Sequence, residues 1–254
     1  MKIYSEHNNF YLLMKIKSNL TIAFLLLIII QLIADTAKAD STHVSFSSLN
    51  KKNKYTSFSL GMGISYGDNL SLKNFIQYKI PDYVYLTKDE QLSQYAAGLD
   101  FFGGIEKQIS RNFSVKAEYS YFIKSYNVSL YPQYNFSFYS HQPYLMFFYI
   151  IPQEYSFLKI GAGTGYILSN FTAKEFGLEN KYSSGGLGFR TEIILNAQIG
   201  KSFAGYISGN ITKTFLSNLK DSNGKELLTG GTNETVNLNS LGAGIRLGVE
   251  IFFF

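Results

Sequence analysis

The sequence contains no cysteine and only three histidines, and these shortages exclude several kinds of site. Without cysteine there can be no disulfide bond, no thiolate metal ligand and no lipid anchor on a processed cysteine. The histidines, His7, His43 and His141, are few and far apart, which argues against a histidine-based metal centre. We therefore expect no metal ion and no other cofactor.

Charged residues are also scarce. They make up 16% of the chain, below the roughly 25% that is typical of soluble domains. The formal net charge of +5 is too mild to indicate a nucleic-acid partner. Aromatic residues reach 17%, all of them tyrosine or phenylalanine, because tryptophan is absent. Such a composition suits strands with one face that avoids water.

The one long apolar run lies near the N-terminus and predicts a secretory signal peptide. Lys15 and Lys17 precede an apolar stretch at 20–33, and an Ala-Lys-Ala motif ending at Ala39 follows it. The stretch has about 14 residues, fewer than the roughly 20 that a membrane-spanning helix needs. We expect cleavage after Ala39, with an uncleaved anchor as the alternative and Met14 as a candidate start.

The chain beyond residue 53 alternates between apolar and polar side chains, the pattern of strands with two different faces. In 113–124 one face is made of Phe113, Val115, Ala117, Tyr119, Tyr121 and Ile123. The opposite face is made of Ser114, Lys116, Glu118, Ser120 and Lys124. The same pattern predicts eight strands, at about 54–65, 94–106, 113–125, 139–150, 155–168, 186–199, 203–215 and 237–253.

The connections between these strands alternate in length. Those after the second, fourth and sixth strands have roughly 3 to 6 residues, and the other four have roughly 28, 13, 17 and 21 residues. Short turns at one end and long loops at the other are typical of outer-membrane barrels. Two segments leave their orientation open. The segment 143–151 is apolar on both faces, and in 203–215 either Phe203, Ile207, Ile211 and Phe215 or Ala204 and Tyr206 face outward.

Alternation alone does not say which face lies inside. A soluble ligand-binding barrel hides its apolar face, whereas a membrane barrel turns that face to lipid. Here the polar face is rich in small residues and carries few charges, which favours the membrane barrel. Its charges have both signs, so they can pair inside a narrow barrel. We predict a lumen charge network of Asp100, Glu106, Lys116, Glu118, Arg190, Glu192, Arg246 and Glu250.

The last strand ends in IRLGVEIFFF. It places one set of apolar side chains on a single face: Leu247, Val249, Ile251 and Phe253. With the signal peptide, the amphipathic strands and the alternating connections, this strand makes residues 54–254 resemble small outer-membrane β-barrels of the opacity-protein, OmpX and OmpA transmembrane-domain type. The resemblance implies a monomer surrounded by outer-membrane lipid, whose C-terminal strand is recognised by the barrel-assembly machinery. In that family the terminal phenylalanine lies on the lipid-facing side of the last strand. Here Phe253 has that position, and Phe254 is one additional residue.

Two short stretches suggest chemistry and are better explained by structure. GAGTG at 161–165 lacks the glycine spacing and the following helix of a nucleotide-binding loop, so curvature of a barrel strand is the better interpretation. Ser140 and His141 are adjacent, as in a hydrolase pair. Adjacent strand residues point to opposite faces, however, so they would not meet. We expect no catalytic residue.

The sequence thus predicts an all-β fold, an eight-stranded antiparallel transmembrane β-barrel. It comprises a signal peptide at 1–39, a periplasmic tail at 40–53 and an outer-membrane barrel at 54–254. We expect a structural or surface-interaction role, adhesin-like or in envelope integrity, in which four extracellular loops meet an unknown ligand. The alternatives are a small porin, a lipid-modifying outer-membrane enzyme and a soluble periplasmic lipid-binding barrel.

Overall fold

The structure is a computed structural model and describes residues 54–80, 97–128, 134–153, 156–200, 202–230 and 234–253. The predicted signal peptide at 1–39, the predicted tail at 40–53 and Phe254 lie outside these residues.

Eight strands form one closed sheet, in which each strand pairs antiparallel with the next and the last pairs with the first. They are β1 (Thr56–Asp68), β2 (Ala97–Ser110), β3 (Phe113–Val128), β4 (Tyr134–Pro152), β5 (Ser156–Glu175), β6 (Leu178–Gly200), β7 (Phe203–Leu216) and β8 (Ser240–Phe253). Closure leaves no strand edge along the paired wall, so the backbone hydrogen bonds there are internal. The predicted eight-stranded antiparallel barrel is confirmed.

The outer surface of the barrel is an apolar belt. Leu247 is 59% exposed, whereas its neighbour Arg246 is fully buried inside. The belt takes large apolar side chains from every strand, including Leu60, Phe101, Tyr119, Leu145, Ile160, Leu187, Ile211 and Leu247. A soluble lipid-binding barrel would place these side chains inside, so that alternative is wrong.

The structure also orients the two ambiguous strands. In β4, Met146 and Phe148 are buried in the interior, and Phe147 is 58% exposed on the belt. In β7, Tyr206 faces the interior and Phe215 faces outward. The barrel interior therefore contains aromatic side chains as well as charges, which explains why these segments lacked a clear polar face.

The prediction of long loops after β3 and β5 is wrong. β3 and β4 stay paired out to Val128 and Tyr134, so only 129–133 connect them. β5 and β6 stay paired up to a turn at Phe176 and Gly177. The polar residues that suggested loops continue to alternate and to form cross-strand hydrogen bonds above the belt, where their outward face meets water. As a result, β3 to β6 rise above the other strands as a raised wall.

A helix, α1 (Leu70–Lys79), lies in the connection after β1. The Asn69 side chain caps it by accepting a hydrogen bond from the Leu72 amide at 2.8 Å. Leu72, Phe75 and Ile76 occupy one helix face and are buried in a cluster at the barrel mouth. Their partners come from the raised wall and the last connection and include Phe136, Phe171, Leu219 and Val236. Among the described residues, no helix is both long and apolar enough to cross a membrane.

Candidate functional site

The interior below the mouth holds a group of ion pairs that we call the upper cluster. Its members are six charged side chains whose signs balance: Asp100, Glu118, Glu192, Lys116, Arg190 and Arg246. Each of these residues is 3% exposed or less. Because burying an unpaired charge is costly, this balance is what allows the charges to lie inside the barrel.

Arg246 is the hub of the upper cluster. Its guanidinium donates to Asp100 Oδ2 from Nε at 2.7 Å and to Glu118 Oε1 from Nη1 at 2.7 Å. Nη1 also lies 3.6 Å from Glu192 Oε1. The guanidinium carbon sits 4.7 Å from the centre of the Phe102 ring. The planar fork of arginine can bind several carboxylates at once, so this one side chain links strands around the barrel.

Two further cationic side chains, Lys116 and Arg190, donate hydrogen bonds to the Glu118 carboxylate. Lys116 Nζ donates to it at 2.6 Å, and Arg190 Nη1 donates at 2.7 Å. Arg190 is also held by stacking on Tyr144, at 3.9 Å from the ring centre, and by donating to Gln142 at 3.1 Å. Glu118 is therefore the shared anion of the upper cluster.

A second group, the lower cluster, lies toward the end of the barrel with the short turns. Lys159 Nζ donates to Glu106 at 2.8 Å and to Glu250 at 3.0 Å. Each carboxylate is further hydrogen-bonded by a serine, Ser114 to Glu106 at 2.6 Å and Ser57 to Glu250 at 2.5 Å. All five residues are buried.

Lys159 is absent from the predicted network although it is the central cation of the lower cluster. The signal was available, because Lys159 has the same parity as Gly161, Gly163 and Gly165 on the inward face of β5. The residues that follow it on that face are these glycines, so the sequence of β5 lacks the run of polar side chains that indicates a polar face. The eight residues of the predicted network all lie in the interior, divided between the two clusters.

Apolar layers separate and flank the two clusters. Phe102 and Tyr206 pack against each other at 5.7 Å between ring centres, and Lys116 lies over both rings. At the end with the short turns, a second apolar cluster is formed by Tyr55, Ile150, Phe157, Ala204 and Phe252. At the other end α1 covers the mouth. Side chains thus fill the barrel at successive levels, as its eight-stranded width allows.

A cavity of about 80 Å³ lies between the upper cluster and the mouth. Leu72 and Leu238 line it from the mouth side. Asp100 Oδ1, Ser169 Oγ and Asn210 Nδ2 are buried polar atoms on its lining residues without a protein partner. These atoms and this volume suit a small group of ordered water molecules.

The Ser140 and His141 side chains point to opposite faces of β4. Ser140 is fully buried inside, where it accepts a hydrogen bond from Gln142 at 2.7 Å. His141 lies on the outer face, hydrogen-bonded to Tyr119 at 2.5 Å. The geometry of a serine hydrolase, in which the base contacts the nucleophile, is therefore not present at this pair.

The glycines of GAGTG make room for large interior side chains. Gly161, Gly163 and Gly165 face inward on β5, opposite Phe148, Met146 and Tyr144 of β4. A Cβ atom at Gly163 would overlap the Leu145 carbonyl oxygen and the Met146 sulfur. The glycines therefore serve packing.

The C-terminal strand closes the barrel by pairing with β1 along its length, from Leu241 opposite Asp68 to Phe253 opposite Thr56. Its outward set is exposed on the belt: Leu247, Val249, Ile251 and Phe253. Phe254 lies outside the described residues.

No family model and no curated protein matches this sequence. Several solved barrels are similar in fold. Neisserial surface protein A is 9% identical with a TM-score of 0.43, over 78% of this chain and 97% of its own. The attachment invasion locus protein Ail of Yersinia pestis, in complex with the heparin analogue sucrose octasulfate, is 13% identical with a TM-score of 0.47, over 79% and 99%. A major outer membrane protein from Thermus thermophilus is 10% identical with a TM-score of 0.49, over 78% and 99%.

The orientation of the two faces identifies the class of protein. The apolar belt is compatible with a lipid bilayer and unfavourable in water. The wall also suits a bilayer, because every paired backbone group is already hydrogen-bonded within the closed sheet. Charges and small polar side chains occupy the interior, as in membrane barrels with an even number of strands. A closed barrel that turns its apolar side chains outward and its charges inward is suited to a lipid bilayer, and this chain accordingly has the fold of a small transmembrane β-barrel of the outer-membrane type.

Proposed function

We propose that this barrel is a non-catalytic structural and surface-interaction protein, which acts through its extracellular end and not through a pore. The observation that carries the proposal is the filled interior. The upper cluster, the lower cluster and the apolar layers occupy the space that a channel would need. The surface that remains for contact with other molecules is the raised wall together with α1 and the last connection.

The tip of the raised wall supports this assignment. Phe176 and Leu178 stand at the turn between β5 and β6 and are 68% and 73% exposed. Phe176 has a φ of 52°, a conformation that costs a bulky residue about 1–2 kcal/mol. An apolar pair held above the lipid belt on a strained turn suits contact with a surface partner, as in an adhesin. The ligand itself is unidentified.

The proposal includes export and assembly. Residues 1–39 would be removed as a signal peptide after Ala39, leaving a periplasmic tail at 40–53. The belt face of the C-terminal strand, ending at Phe253 and Phe254, would be the segment that the barrel-assembly machinery binds. The barrel would then act as a monomer in lipid.

The test replaces the tip in intact cells. The double variant Phe176→Ser and Leu178→Ser should lower cell adhesion to a surface while the barrel keeps its shift between unheated and boiled samples on a gel. Lys181→Ser, an exposed change on the same wall, is the matched control and should leave adhesion unchanged. Equal adhesion for wild type and the tip variant, in cells where removal of the whole protein lowers adhesion, would place the contact surface elsewhere. No effect of whole-protein removal on adhesion or on detergent resistance would refute the proposed role.

A further inference from the structure

A groove runs along the lipid-facing side of β8, β1, β2 and β3. It is open to the bilayer and has a volume of about 780 Å³. Its sides are large belt residues, among them Leu60, Met62, Phe101, Leu247 and Val249. Tyr119 and Tyr121 also line it.

The groove contains Gly103, which interrupts the belt. In the strand register Gly103 lies between Leu60 of β1 and Tyr119 of β3, and its outward position carries no side chain. A Cβ atom there would meet Leu60 Cδ1 at 3.6 Å, an ordinary contact. Close packing inside the wall therefore does not demand this glycine, and its effect is to leave space on the outside.

A polar pair adjoins the groove through Tyr119. The Tyr119 hydroxyl and His141 Nδ1 lie 2.5 Å apart on the outer face. The His141 ring also packs against Tyr121 and Tyr139, at 5.1 and 5.8 Å between ring centres. One hydrogen-bond donor of the pair is left over in either tautomer. If the tyrosine donates, His141 keeps its proton on Nε2, and if the imidazole donates, the hydroxyl proton is available.

The pair lies where the outward side chains of β4 change from apolar to polar. Beyond His141 and Tyr139 toward the mouth, the outward positions are Ser137 and Asn135, and in the other direction they include Leu145 and Phe147. This change marks the boundary between the acyl region and the head groups, where aromatic side chains with a polar end collect. Lipid acyl chains end in their ester carbonyl groups at this boundary.

We propose that this groove is a binding site for one membrane lipid, whose acyl chain lies over Gly103 and whose ester carbonyl oxygen accepts a hydrogen bond from the Tyr119–His141 pair. The groove is continuous with the lipid interface of the belt, so the molecule that fills it is a bilayer lipid. The carbonyl is bonded directly to the chain, which places it at the end of the groove where the donor stands. This inference is independent of the proposed surface role.

The test compares two lipids that differ only in the carbonyl. The barrel in detergent is given a diacyl phosphatidylethanolamine or its dialkyl-ether analogue with the same chains, and retained lipid is counted by native mass spectrometry. One neutral hydrogen bond should make wild type retain the ester lipid about fivefold more tightly than the ether lipid. Equal retention of the two lipids would overturn the assignment of the donor pair.

Two variants separate the parts of the site. The double variant Tyr119→Phe and His141→Phe removes both possible donors, so it should abolish the preference for the ester lipid but keep general lipid retention. Gly103→Leu fills the groove and should reduce the retention of both lipids. Gly209→Leu is the matched control, since Gly209 on β7 also faces outward and has open space around its Cβ position.

The comparison is restricted to variants that fold, and Gly209→Leu is the reference for Gly103→Leu. Gel migration before and after boiling shows which variants are folded, and only folded variants are compared. If Gly103→Leu does not fold, the double variant Tyr119→Phe and His141→Phe still tests the carbonyl contact. Equal retention by folded Gly103→Leu and Gly209→Leu would show that lipid binds the belt without a particular groove, and the proposal would be wrong.

Discussion

Arg246 on β8 and Glu118 on β3 meet across the barrel interior at 2.7 Å, with both side chains fully excluded from solvent. Two other strands separate β8 from β3 along the wall. The contact therefore joins two strands that are not neighbours in the sheet, through the interior of the barrel. Breaking a buried ion pair on one side leaves the other charge uncompensated.

Replacement of Arg246 by methionine should destabilise the folded barrel by about 3–5 kcal/mol, since Asp100 and Glu118 lose their common cation. The measurement is urea-induced unfolding in detergent, followed by the gel shift. Lys181→Ala is the control, because its pair with Glu179 is exposed and should contribute less than about 1 kcal/mol. Similar midpoints for the two variants would contradict the account of the upper cluster.

Lys159→Met should destabilise the folded barrel by about 3–5 kcal/mol, because it leaves buried charge uncompensated. Without the lysine, Glu106 and Glu250 are two buried carboxylates with no shared cation. Adding Glu106→Gln and Glu250→Gln to Lys159→Met removes these charges and should restore part of the lost stability. The urea midpoints of wild type, the single variant and the triple variant check this. No recovery in the triple variant would show that the lysine acts through packing alone.

Gly163→Val should prevent stable folding or cost about 3 kcal/mol or more, because the added atoms overlap backbone and cannot be relieved by a side-chain rotation. The contacts that produce the overlap are with Leu145 and Met146. Gly209→Val, at an outward position with open space, should fold normally. Yield of the heat-modifiable form after refolding separates the two. Normal refolding of the Gly163 variant would refute the packing account of this glycine.

Phe75→Ala should loosen α1 without opening the barrel wall. Phe75 is 2% exposed and packs edge to face on Phe171 at 6.0 Å. The helix carries trypsin sites at Lys73 and Lys79, so limited proteolysis should cut it faster in the variant while the barrel keeps its gel shift. Leu70→Ala, at an exposed helix position, should be cut at the wild-type rate. If both variants are cut equally, the helix is not held by its apolar face.

The barrel architecture could be predicted from the sequence because its strands alternate cleanly. Arg190 and Glu192 on β6 are separated by outward-facing Thr191, and this parity places both charges on one face. The few charges on that face, which have both signs, then indicate that it lies inside. The pairings of those charges could not be predicted, because they depend on registers and on shear across several strands. Arg246 reaching Glu118 is such a case.

The errors in the predicted loop lengths lie above the membrane. There both faces of a strand can be polar, so 126–138 and 169–185 resemble loops although much of them is paired. The helix had a readable signal in Asn69 followed by apolar residues at Leu72, Phe75 and Ile76. The helix has only 10 residues and lies within a connection that the barrel pattern predicts to be a loop, so this signal was missed.

Side chains fill the interior of this barrel, and we propose that the protein acts from its outer surface. Single-channel recording in a planar bilayer is the decisive test, with the purified barrel inserted and its insertion confirmed by the gel shift of the recovered protein. We expect no conductance steps for wild type, and none for Phe75→Ala, because the clusters and the apolar layers below the helix stay in place. Regular open steps in the wild-type protein would show instead that the chain is a narrow channel.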